Sequence, residues 1–292
     1  EIADRVTVMR AGEVQGVSET KNTSITELAS QMVGREVFLQ VKKDEANPKD
    51  EILNVENLWV HDARGLLAVN GVEMSIKEGE IVGIAGVEGN GQTELVEALT
   101  GLRKASRGKI MYLGEDIASS TPKNIRRKKI AHIPEDRTNT VLNTQLSIWE
   151  NLIGNSYFRK PLSSKGIFNL KKVEKHANKL KEDFDSRSPN VSLKVKSLSG
   201  GNQQKVVVAR ELSEDPTLTI ASQPTRGVDI GNIEAIHEQL VQMRDDGGAV
   251  LLVSAELDEV MAVADRVGVM YEGQIVKWVN PKEVDQSQMG LY

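Results

Sequence analysis

The sequence predicts an α/β protein with a mainly parallel sheet, and two observations support this fold class. Apolar runs typical of buried strands, at 217–222 and 249–254, are separated by a helical pattern at 233–246. A further apolar run, "EIVGIAG" (80–86), leads into a glycine-rich loop that is followed by another helical pattern. Strands that alternate with helices in this way form βαβ units, which bring the strands together in parallel.

The composition limits the classes of function that fit the chain. Its 292 residues suffice for one large domain or two ordinary ones, and 39% hydrophobic with 27% charged residues suits a soluble globular protein. The net charge of −5 gives no overall basic field, so we expect no nucleic-acid partner. With no cysteine, disulfides and thiolate metal sites are excluded. Apolar runs such as "AVLLVSA" (249–255) are too short to span a bilayer.

A hairpin pattern near the start of the chain recurs near its end. "IADRVTVMRAGEVQGV" begins at Ile2 and aligns with "VADRVGVMYEGQIVKWV", which begins at Val263. The matched pairs are Ala3 and Ala264, Asp4 and Asp265, Arg5 and Arg266, Val6 and Val267, Val8 and Val269, Met9 and Met270, Gly12 and Gly273, and Val14 and Ile275. Coincidence between two hairpins is the alternative. The fixed offsets favour the interpretation that the chain opens with the tail of a preceding copy.

The repeat divides the chain into three segments. Residues 1–35 are predicted to be the C-terminal tail of a preceding domain, and residues 51–292 one complete copy. Between them, 36–50 is predicted to be a linker, because "VKKDEANPKDE" (41–51) is charged, contains Pro48 and lacks apolar periodicity.

The glycine-rich loop "GVEGNGQTEL" (86–95) lies in the strand–loop–helix context of a phosphate-binding loop. The glycines have the required spacing, and Thr93 stands where a magnesium-binding hydroxyl belongs. The lysine that should precede it is Gln92. This segment alone leaves open whether the loop binds a nucleotide or is only a tight turn. The candidate nucleotide-binding residues are Gly86, Val87, Glu88, Gly89, Asn90, Gly91, Gln92, Thr93 and Glu94.

A second glycine motif narrows the class. In "SLSGGNQQKVVVARELSEDPTLTIASQPTRGVD" (197–229), two glycines precede a helical pattern, and a buried strand and a Gln-Pro-Thr turn follow. A helix N-terminus with glycines can hold an anion, although a capped helix start without a ligand is the alternative. The run resembles the LSGGQ signature, Walker B strand and D-E-P-T turn of ABC ATPases. The signature residues are Leu198, Ser199, Gly200, Gly201, Asn202 and Gln203.

The resemblance covers essentially all of the chain from residue 51 onward. It implies a P-loop NTPase core with a mainly parallel sheet, an antiparallel β subdomain and an inserted helical subdomain at about 138–212. "IAHIPEDR", "GGNQQK" and "PTRGVD" resemble the second half of tandem ATP-binding subunits of simple-sugar and nucleoside importers. "ASQPTRGVDIG", "AELDEV" and "WVNPKEVDQ" are most similar to the purine-nucleoside branch.

The resemblance also implies cofactors, partners and a location. The cofactors would be ATP and magnesium, with Thr93 a weak magnesium ligand. The partners would be the upstream nucleotide-binding domain of the same chain, transmembrane permease subunits and, indirectly, a substrate-binding lipoprotein. The permease contact would be Glu135, Asp136 and Arg137, with a solvated loop as the alternative. The chain would work at the cytoplasmic face of the membrane. Trp59 could stack on adenine or belong to the core.

Several positions that match the family's catalytic set are altered. The lysine is Gln92, the Walker B aspartate Ser222, the catalytic glutamate Gln223 and the switch histidine Ala255, while the Q-loop glutamine is Glu135. An uncharged donor on phosphate is worth about 0.5–1.5 kcal/mol against about 1.5–3 for a charged one, so binding should weaken about tenfold. A positioned base is worth about 10²–10⁴ in rate, so turnover should fall much further.

We therefore expect a degenerate nucleotide site with little or no ATPase activity. The intact signature, Ser199 to Gln203, would act in trans on the ATP of the upstream domain. Two alternatives are an active ATPase that uses non-standard residues and an interaction module that no longer binds nucleotide. A laboratory exchange of glutamate for glutamine is a further alternative for Gln223, but four coordinated departures argue for a natural state.

Overall fold

The structure is a computed structural model, and it describes residues 3–10, 12–34, 41–186 and 188–290. Ile2, with which the first repeat begins, residues 36–40 of the predicted linker and the last two residues of the predicted complete copy lie outside the described residues.

Strands and helices alternate along most of the chain. The strands are β1 (Arg5–Arg10), β2 (Glu13–Glu19), β3 (Glu51–His61), β4 (Leu67–Lys77), β5 (Ile81–Ala85), β6 (Arg107–Tyr112), β7 (Glu115–Asp116), β8 (Ile130–Ile133), β9 (Ser163–Ser164), β10 (Ile167–Phe168), β11 (Leu218–Ser222), β12 (Ala249–Ser254), β13 (Arg266–Tyr271) and β14 (Gln274–Val279). The helices are α1 (Ile25–Val33), α2 (Gln92–Leu99), α3 (Pro122–Arg127), α4 (Arg137–Thr140), α5 (Ile148–Leu152), α6 (Leu170–Asp183), α7 (Gly200–Leu212), α8 (Ile230–Asp245), α9 (Leu257–Val263) and α10 (Gln286–Met289).

A six-stranded sheet forms the centre of the fold, in the order β14-β13-β5-β12-β11-β8. All its neighbours are parallel except β13 and β14, which form an antiparallel hairpin. Every residue of β5, β11 and β12 is buried. Strands covered on both faces read as unbroken apolar runs, which is why the sequence pattern indicated parallel pairing. The predicted fold class is confirmed.

A second, antiparallel sheet in the order β4-β3-β6-β7 packs over α2. Leu58 and Val72 of this sheet share one buried cluster with Leu95 and Leu99 of the helix. The antiparallel β region implied by the family resemblance is therefore present, and it covers the helix that follows the glycine loop.

Helices α4 to α7 and the short β9–β10 hairpin occupy residues 137–212. The buried side chains Leu152 of α5, Ala177 of α6 and Val206 of α7 belong to one cluster, which also includes Ile133 of β8. Since α7 contributes to this cluster and to contacts with the central sheet, it joins the helical region to the core. That residues 138–212 form an inserted helical subdomain stays a prediction.

The repeated hairpins β1–β2 and β13–β14 share a local irregularity. The register shifts between Val8 and Met9 in the first and between Val269 and Met270 in the second, which are matched positions. Their surroundings differ. Met270 is 1% exposed because β13 pairs with β5, whereas Met9 is 61% exposed, and among the described residues β1 pairs with β2 alone.

The described part of the predicted linker, 41–50, has neither helix nor strand but packs on the core through specific contacts. Lys43 Nζ donates to the carbonyl oxygens of Val263 and Ala264, at 2.8 Å each, at the C-terminus of α9. Burial lowers the pKa of Lys43 below its ordinary value, although the neighbouring Asp265 opposes this shift. The segment thus acts as a strap on one end of the sheet.

Asp265 connects four parts of the fold at the start of β13. Its Oδ1 accepts hydrogen bonds from Lys43 Nζ at 2.8 Å and from Arg244 Nη1 at 2.9 Å. Its Oδ2 accepts from the backbone N–H of Ile81, at the start of β5, at 2.8 Å. The Arg244 side chain is 1% exposed, and its charge is balanced by Asp265 and by Asp245, whose Oδ1 lies 2.6 Å from Arg244 Nη2. Removing one partner of a buried charged pair leaves the other uncompensated.

We expect Asp265→Ala to lower the free energy of unfolding by about 3 kcal/mol, because it leaves the Ile81 N–H without its acceptor and removes a carboxylate from Lys43 and Arg244, although Arg244 keeps Asp245. Chemical denaturation measures this loss. The matched control is Asp4→Ala, at the repeated position, where the side chain is exposed and the change should stay within about 0.5 kcal/mol. Equal effects in the two variants would contradict the role given to Asp265.

Candidate functional site

The glycine-rich loop connects β5 to α2 and is held in shape by its surroundings. Gly89 and Gly91 have φ values of +92° and +100°, which favour glycine. A Cβ atom on Gly91 would lie 2.1 Å from the carbonyl oxygen of Ala68, so the loop runs directly against the antiparallel sheet. Asn90 anchors it on the other side, since its Oδ1 accepts from the Glu272 N–H at 2.8 Å.

The side chain of Gln92 cross-links this loop. Its Oε1 accepts a hydrogen bond from the backbone N–H of Asn90, and its Nε2 donates to the carbonyl oxygen of Val87, both at 3.0 Å. From its position in the loop sequence, Gln92 is predicted to donate to phosphate. In the structure both ends of its amide are used by the loop itself. One backbone N–H that an anion could use is therefore already satisfied.

The altered positions meet in one small cavity of about 180 Å³ at the carboxyl ends of β5, β11 and β12. Ser222 ends β11, Gln223 follows it with φ +48°, and Ala255 follows β12. Ser254 Oγ donates to Gln223 Oε1 at 3.2 Å. The lining residues are Gly86, Glu88, Gly89, Gln92, Thr93, Glu135, Ser222, Gln223, Val253, Ser254 and Ala255. The five altered positions and Thr93, which the sequence predicted separately, thus face the same space.

The charges around this cavity are unfavourable for a polyphosphate. Two carboxylates, Glu88 and Glu135, line it. Arg226 forms salt bridges with both of them, with Nη1 at 3.0 Å from Glu88 Oε1. A guanidinium shared between two carboxylates leaves a net negative charge beside the loop, where like charge repels phosphate. Sequence analysis missed Arg226, although its place in "PTRGVD" (224–229), directly after the Gln-Pro-Thr turn, could have indicated it.

A buried polar group lies beneath the turn at 223–227. Thr225 Oγ1 donates to Glu259 Oε1 at 2.8 Å, and His237 Nε2 lies 3.0 Å from the same oxygen. These contacts tie the turn to α9 and α8. They position Gln223 and Arg226 without touching the cavity, and the sequence held no spacing that identified them.

The signature residues lie apart from this cavity, and none of Ser199 to Gln203, all of them described, lines it. Ser199 is the N-cap residue of α7 and makes no capping bond with its side chain, whose Oγ accepts from Asn202 Nδ2 at 3.0 Å. Gln203 Nε2 donates to the carbonyl oxygen of Leu198 at 3.3 Å. The first backbone N–H groups of a helix have no partner within the helix, so this end can hold an anion.

Close packing explains both signature glycines. A Cβ atom on Gly201 would lie 2.2 Å from Asn232 Nδ2, and one on Gly200 would lie 2.8 Å from Arg137 Nη2. Arg137 Nη1 also donates to the carbonyl oxygen of Arg226 at 2.9 Å. Arg137 therefore contacts the signature and the 223–227 turn, and its predicted contact with a permease stays a prediction.

A larger groove of about 740 Å³ opens between the core and the helical region. Glu135 and Asp136, which were predicted to contact a permease, line it, and Asp136 also caps α4. Hydrogen bonds from Asn139 and Thr138 hold the pKa of Asp136 below its ordinary value. The lining residues are Thr93, Val96, Glu97, Thr100, Leu102, Pro122, Lys123, Ile125, Arg126, Ile130, His132, Pro134, Glu135, Asp136, Thr140, Val141, Asn155, Arg210, Glu211 and Ser222.

The floor of the groove is a buried ion cluster. Glu211 has no exposed side-chain surface and pairs with Arg126 at 2.8 Å and with Arg210 at 2.9 Å. Burial would raise the pKa of Glu211, but the two guanidinium groups outweigh it and hold the pKa below its ordinary value. Burial lowers the pKa of His132 to about 4. The histidine is therefore neutral near pH 7, and two guanidinium groups on one carboxylate leave a net positive charge in the floor.

Two further sequence predictions have a defined place. Thr93 is exposed at the start of α2, facing the cavity. Within the described ranges, no cluster of three or more His, Cys, Asp or Glu side chains could hold a metal ion.

Trp59 Nε1 donates to Asn57 Oδ1 at 2.7 Å, and the Arg107 guanidinium lies 6.0 Å from its ring centroid. Stacking of Trp59 on adenine stays a prediction.

No helix in the described part of the chain combines the length and the apolarity needed to cross a bilayer.

The chain is similar over 290 residues to the guanosine import ATP-binding protein NupO of Bacillus subtilis (strain 168), at 45% identity. It is 43% identical over 290 residues to the nucleoside import ATP-binding protein NupA of Lactococcus lactis subsp. cremoris (strain MG1363). These matches cover 99% of this chain but 57% of each relative, so the chain spans little more than half their length.

Solved structures of similar fold include ATP-binding proteins of ABC transporters. A nucleotide-free ATP-binding cassette from an ABC transporter superposes with a TM-score of 0.66 at 26% identity, covering 79% of this chain and 92% of that one. The cbiO1 protein of Clostridium perfringens, part of the ABC transporter complex cbiONQ, gives a TM-score of 0.67 at 27% identity, covering 83% and 94%. The profile of the ABC transporter family matches residues 69–226. The chain belongs to the ABC transporter family.

Proposed function

We propose that this chain is the second half of a tandem ATP-binding subunit of a nucleoside or sugar importer. Its own nucleotide site has little or no turnover, and its signature completes the ATP site of the upstream domain. The observation that carries the proposal is a contrast within the structure. The altered catalytic positions converge on one cavity, whereas the signature at the start of α7 keeps an open helix N-terminus.

The chemistry of the cavity does not support hydrolysis. ATP hydrolysis by this class of fold needs charge neutralisation and a positioned water. Gln223 cannot accept a proton, and its Oε1 already accepts from Ser254. Ser222 offers no carboxylate to magnesium, and Ala255 offers no polar group. Because these defects affect one chemical step, restoring a single residue should not restore the step.

Binding of Mg-ATP at this site should be weak for a reason beyond the missing lysine. Gln92 Oε1 already holds the Asn90 N–H, and the nearby Glu88 and Glu135 share one guanidinium. A phosphate would have to displace the first contact and face the net negative charge. The same observation favours a second candidate, an interaction module that binds no nucleotide, and a titration separates the two.

The N-terminal hairpin supports an upstream domain as partner. The bulge at Val8–Met9 matches the bulge at Val269–Met270, so β1–β2 is built like the last hairpin of the complete copy. In that copy β13 pairs with β5, and Met270 is buried. The exposed Met9 and the free edge of β1 fit the equivalent strand of a preceding domain, since an open edge is a ready template for another strand.

Permease subunits would dock in the groove beside Glu135 and Asp136, and a binding lipoprotein would act through them. The substrate class, nucleosides or simple sugars, is taken from the relatives, whose names specify guanosine, nucleoside and, in Haloferax volcanii, glucose import. Such a subunit binds peripherally at the cytoplasmic face of the membrane.

We expect the purified chain to hydrolyse ATP at a rate close to background, measured by phosphate release. Gln223→Glu should not raise this rate, because Ser222 and Ala255 remain. The positive control is a full-length relative whose sequence keeps the catalytic lysine, aspartate, glutamate and histidine. A rate of about one per second, low but ordinary for an enzyme, would contradict the proposal.

Gln92→Lys should strengthen Mg-ATP binding about tenfold, because it releases the Asn90 N–H and adds charge assistance to the phosphate contact. Isothermal titration of the chain measures this change. Gln242→Lys adds the same charge on an exposed position of α8 and should leave the affinity unchanged. If the wild-type chain and Gln92→Lys both fail to bind, the nucleotide-free module is the better description.

In the full-length tandem, Ser199→Arg should abolish most ATPase activity, whereas Gln92→Ala should reduce it far less. Ser199 lies at the helix end that would contact the γ-phosphate of the upstream site, and such contacts are worth about 10² or more in rate. Gln92 belongs to the site that does not turn over. The assay is steady-state ATPase of the reconstituted transporter. Equal losses would mean that both sites are catalytic.

A further inference from the structure

An exposed apolar surface lies on the helical region, away from the phosphate-loop cavity. Five side chains form it, with exposed fractions from 42% to 75%. They are Tyr157, Phe158, Ile167, Phe168 and Leu170. The chain has eight Phe and Tyr residues in total, and three of them lie here within twelve positions. Exposed apolar side chains grouped in one short segment of the chain indicate an interaction surface.

The surface stands on an ordered base. Ile153, Leu162 and Val173 are buried together beneath it. The Asn169 N–H donates to the carbonyl oxygen of Leu162 at 2.8 Å, which ties the β9–β10 hairpin to the start of α6. The rings of Tyr157 and Phe158 contact each other edge to face, with centroids 5.3 Å apart. The apolar side chains are therefore presented outward by a packed structure.

The same surface is basic. Residues 157–172 contain five cationic and no acidic residues, in a chain whose net charge is −5. Arg159 is paired with Glu214. Lys160, Lys165, Lys171 and Lys172 are exposed, and among the described residues none of these four takes part in a salt bridge. We call these four lysines and the five apolar residues the lysine–aromatic patch.

Aromatic and aliphatic side chains surrounded by lysine are typical of proteins that lie on a membrane surface. Aromatic rings partition into the headgroup region, and each lysine near an anionic surface adds attraction. A permease loop fits the charge less well. Cytoplasmic loops of membrane proteins carry an excess of Lys and Arg, which a basic patch would repel, whereas anionic lipids of the cytoplasmic leaflet complement it.

The position of the patch agrees with this partner, in a step that rests on the proposed function. Asn155 lines the groove proposed to receive the permease, and the patch begins two residues later at Tyr157. The patch therefore begins next to the groove along the chain. We propose that the lysine–aromatic patch contacts the anionic surface of the bilayer, next to the permease, and holds this half of the subunit against the membrane.

The test is co-sedimentation of the whole chain with lipid vesicles, without permease or nucleotide. Vesicles of equal parts phosphatidylglycerol and phosphatidylcholine should retain the chain, and phosphatidylcholine alone should retain much less. Retention should fall as salt is added, because the lysine contribution is screened. Lys171→Glu with Lys172→Glu should weaken binding by about tenfold or more.

The apolar contribution is tested by Phe158→Ser with Phe168→Ser, which should weaken binding while its salt dependence remains. Two controls match these changes. Lys104→Glu with Lys109→Glu reverses two exposed charges near or in the antiparallel sheet, and Leu66→Ser removes an apolar side chain that is 57% exposed. Neither should change retention. Thermal melting of every variant checks that the fold is retained.

Three results would overturn the proposal: no retention by anionic vesicles, equal loss in the control variants, or retention only after permease is added to the vesicles. The last result would assign the patch to the permease. None of them bears on the idle nucleotide site, because the vesicle assay uses neither nucleotide nor hydrolysis. A failure of the membrane contact is thus distinguishable from a failure of the proposed function.

Discussion

The hydrogen bonds of Asp265 are the interaction on which the rest of the structure depends. One carboxylate holds the start of β5, the end of α8 through Arg244 and the strap through Lys43. Since β5 lies in the middle of the sheet and ends in the glycine loop, its placement sets where the loop emerges. The parallel strands β11 and β12 then carry Ser222 and Ser254 to the same edge. The cavity is a consequence of this alignment.

The glycine-rich phosphate loop and the glycine-rich signature differ in what their polar groups contact. At the phosphate loop, Gln92 satisfies loop groups internally, and Glu88 and Glu135 compete for one cation. At the signature, packing of Gly200 and Gly201 against Arg137 and Asn232 shapes a helix start whose backbone groups remain open. This contrast supports the proposed role, in which the signature completes a partner's site and the domain's own site has little turnover.

Arg137 shows how the phosphate loop and the signature are connected. Its guanidinium donates to the carbonyl of Arg226, whose side chain bridges the loop and the 134–137 segment, and it lies against Gly200. The buried Thr225–Glu259–His237 group supports the same turn from below. These contacts join the phosphate loop to the turn, and Arg137 packs the turn against the signature. The groove with its Glu211 cluster adjoins the cavity, since Thr93, Glu135 and Ser222 line both.

The sequence by itself determined the α/β class, the buried strands β5, β11 and β12, and the glycine loop that precedes α2, because periodicity and spaced motifs are local properties. It also identified the repeated hairpin. Only the tertiary structure decided that Gln92 closes the loop, that Arg226 bridges Glu88 and Glu135, that Arg137 turns toward the signature, and that the strap packs through Lys43. Each of these depends on the direction of a side chain toward residues distant along the chain, and no local pattern encodes that direction.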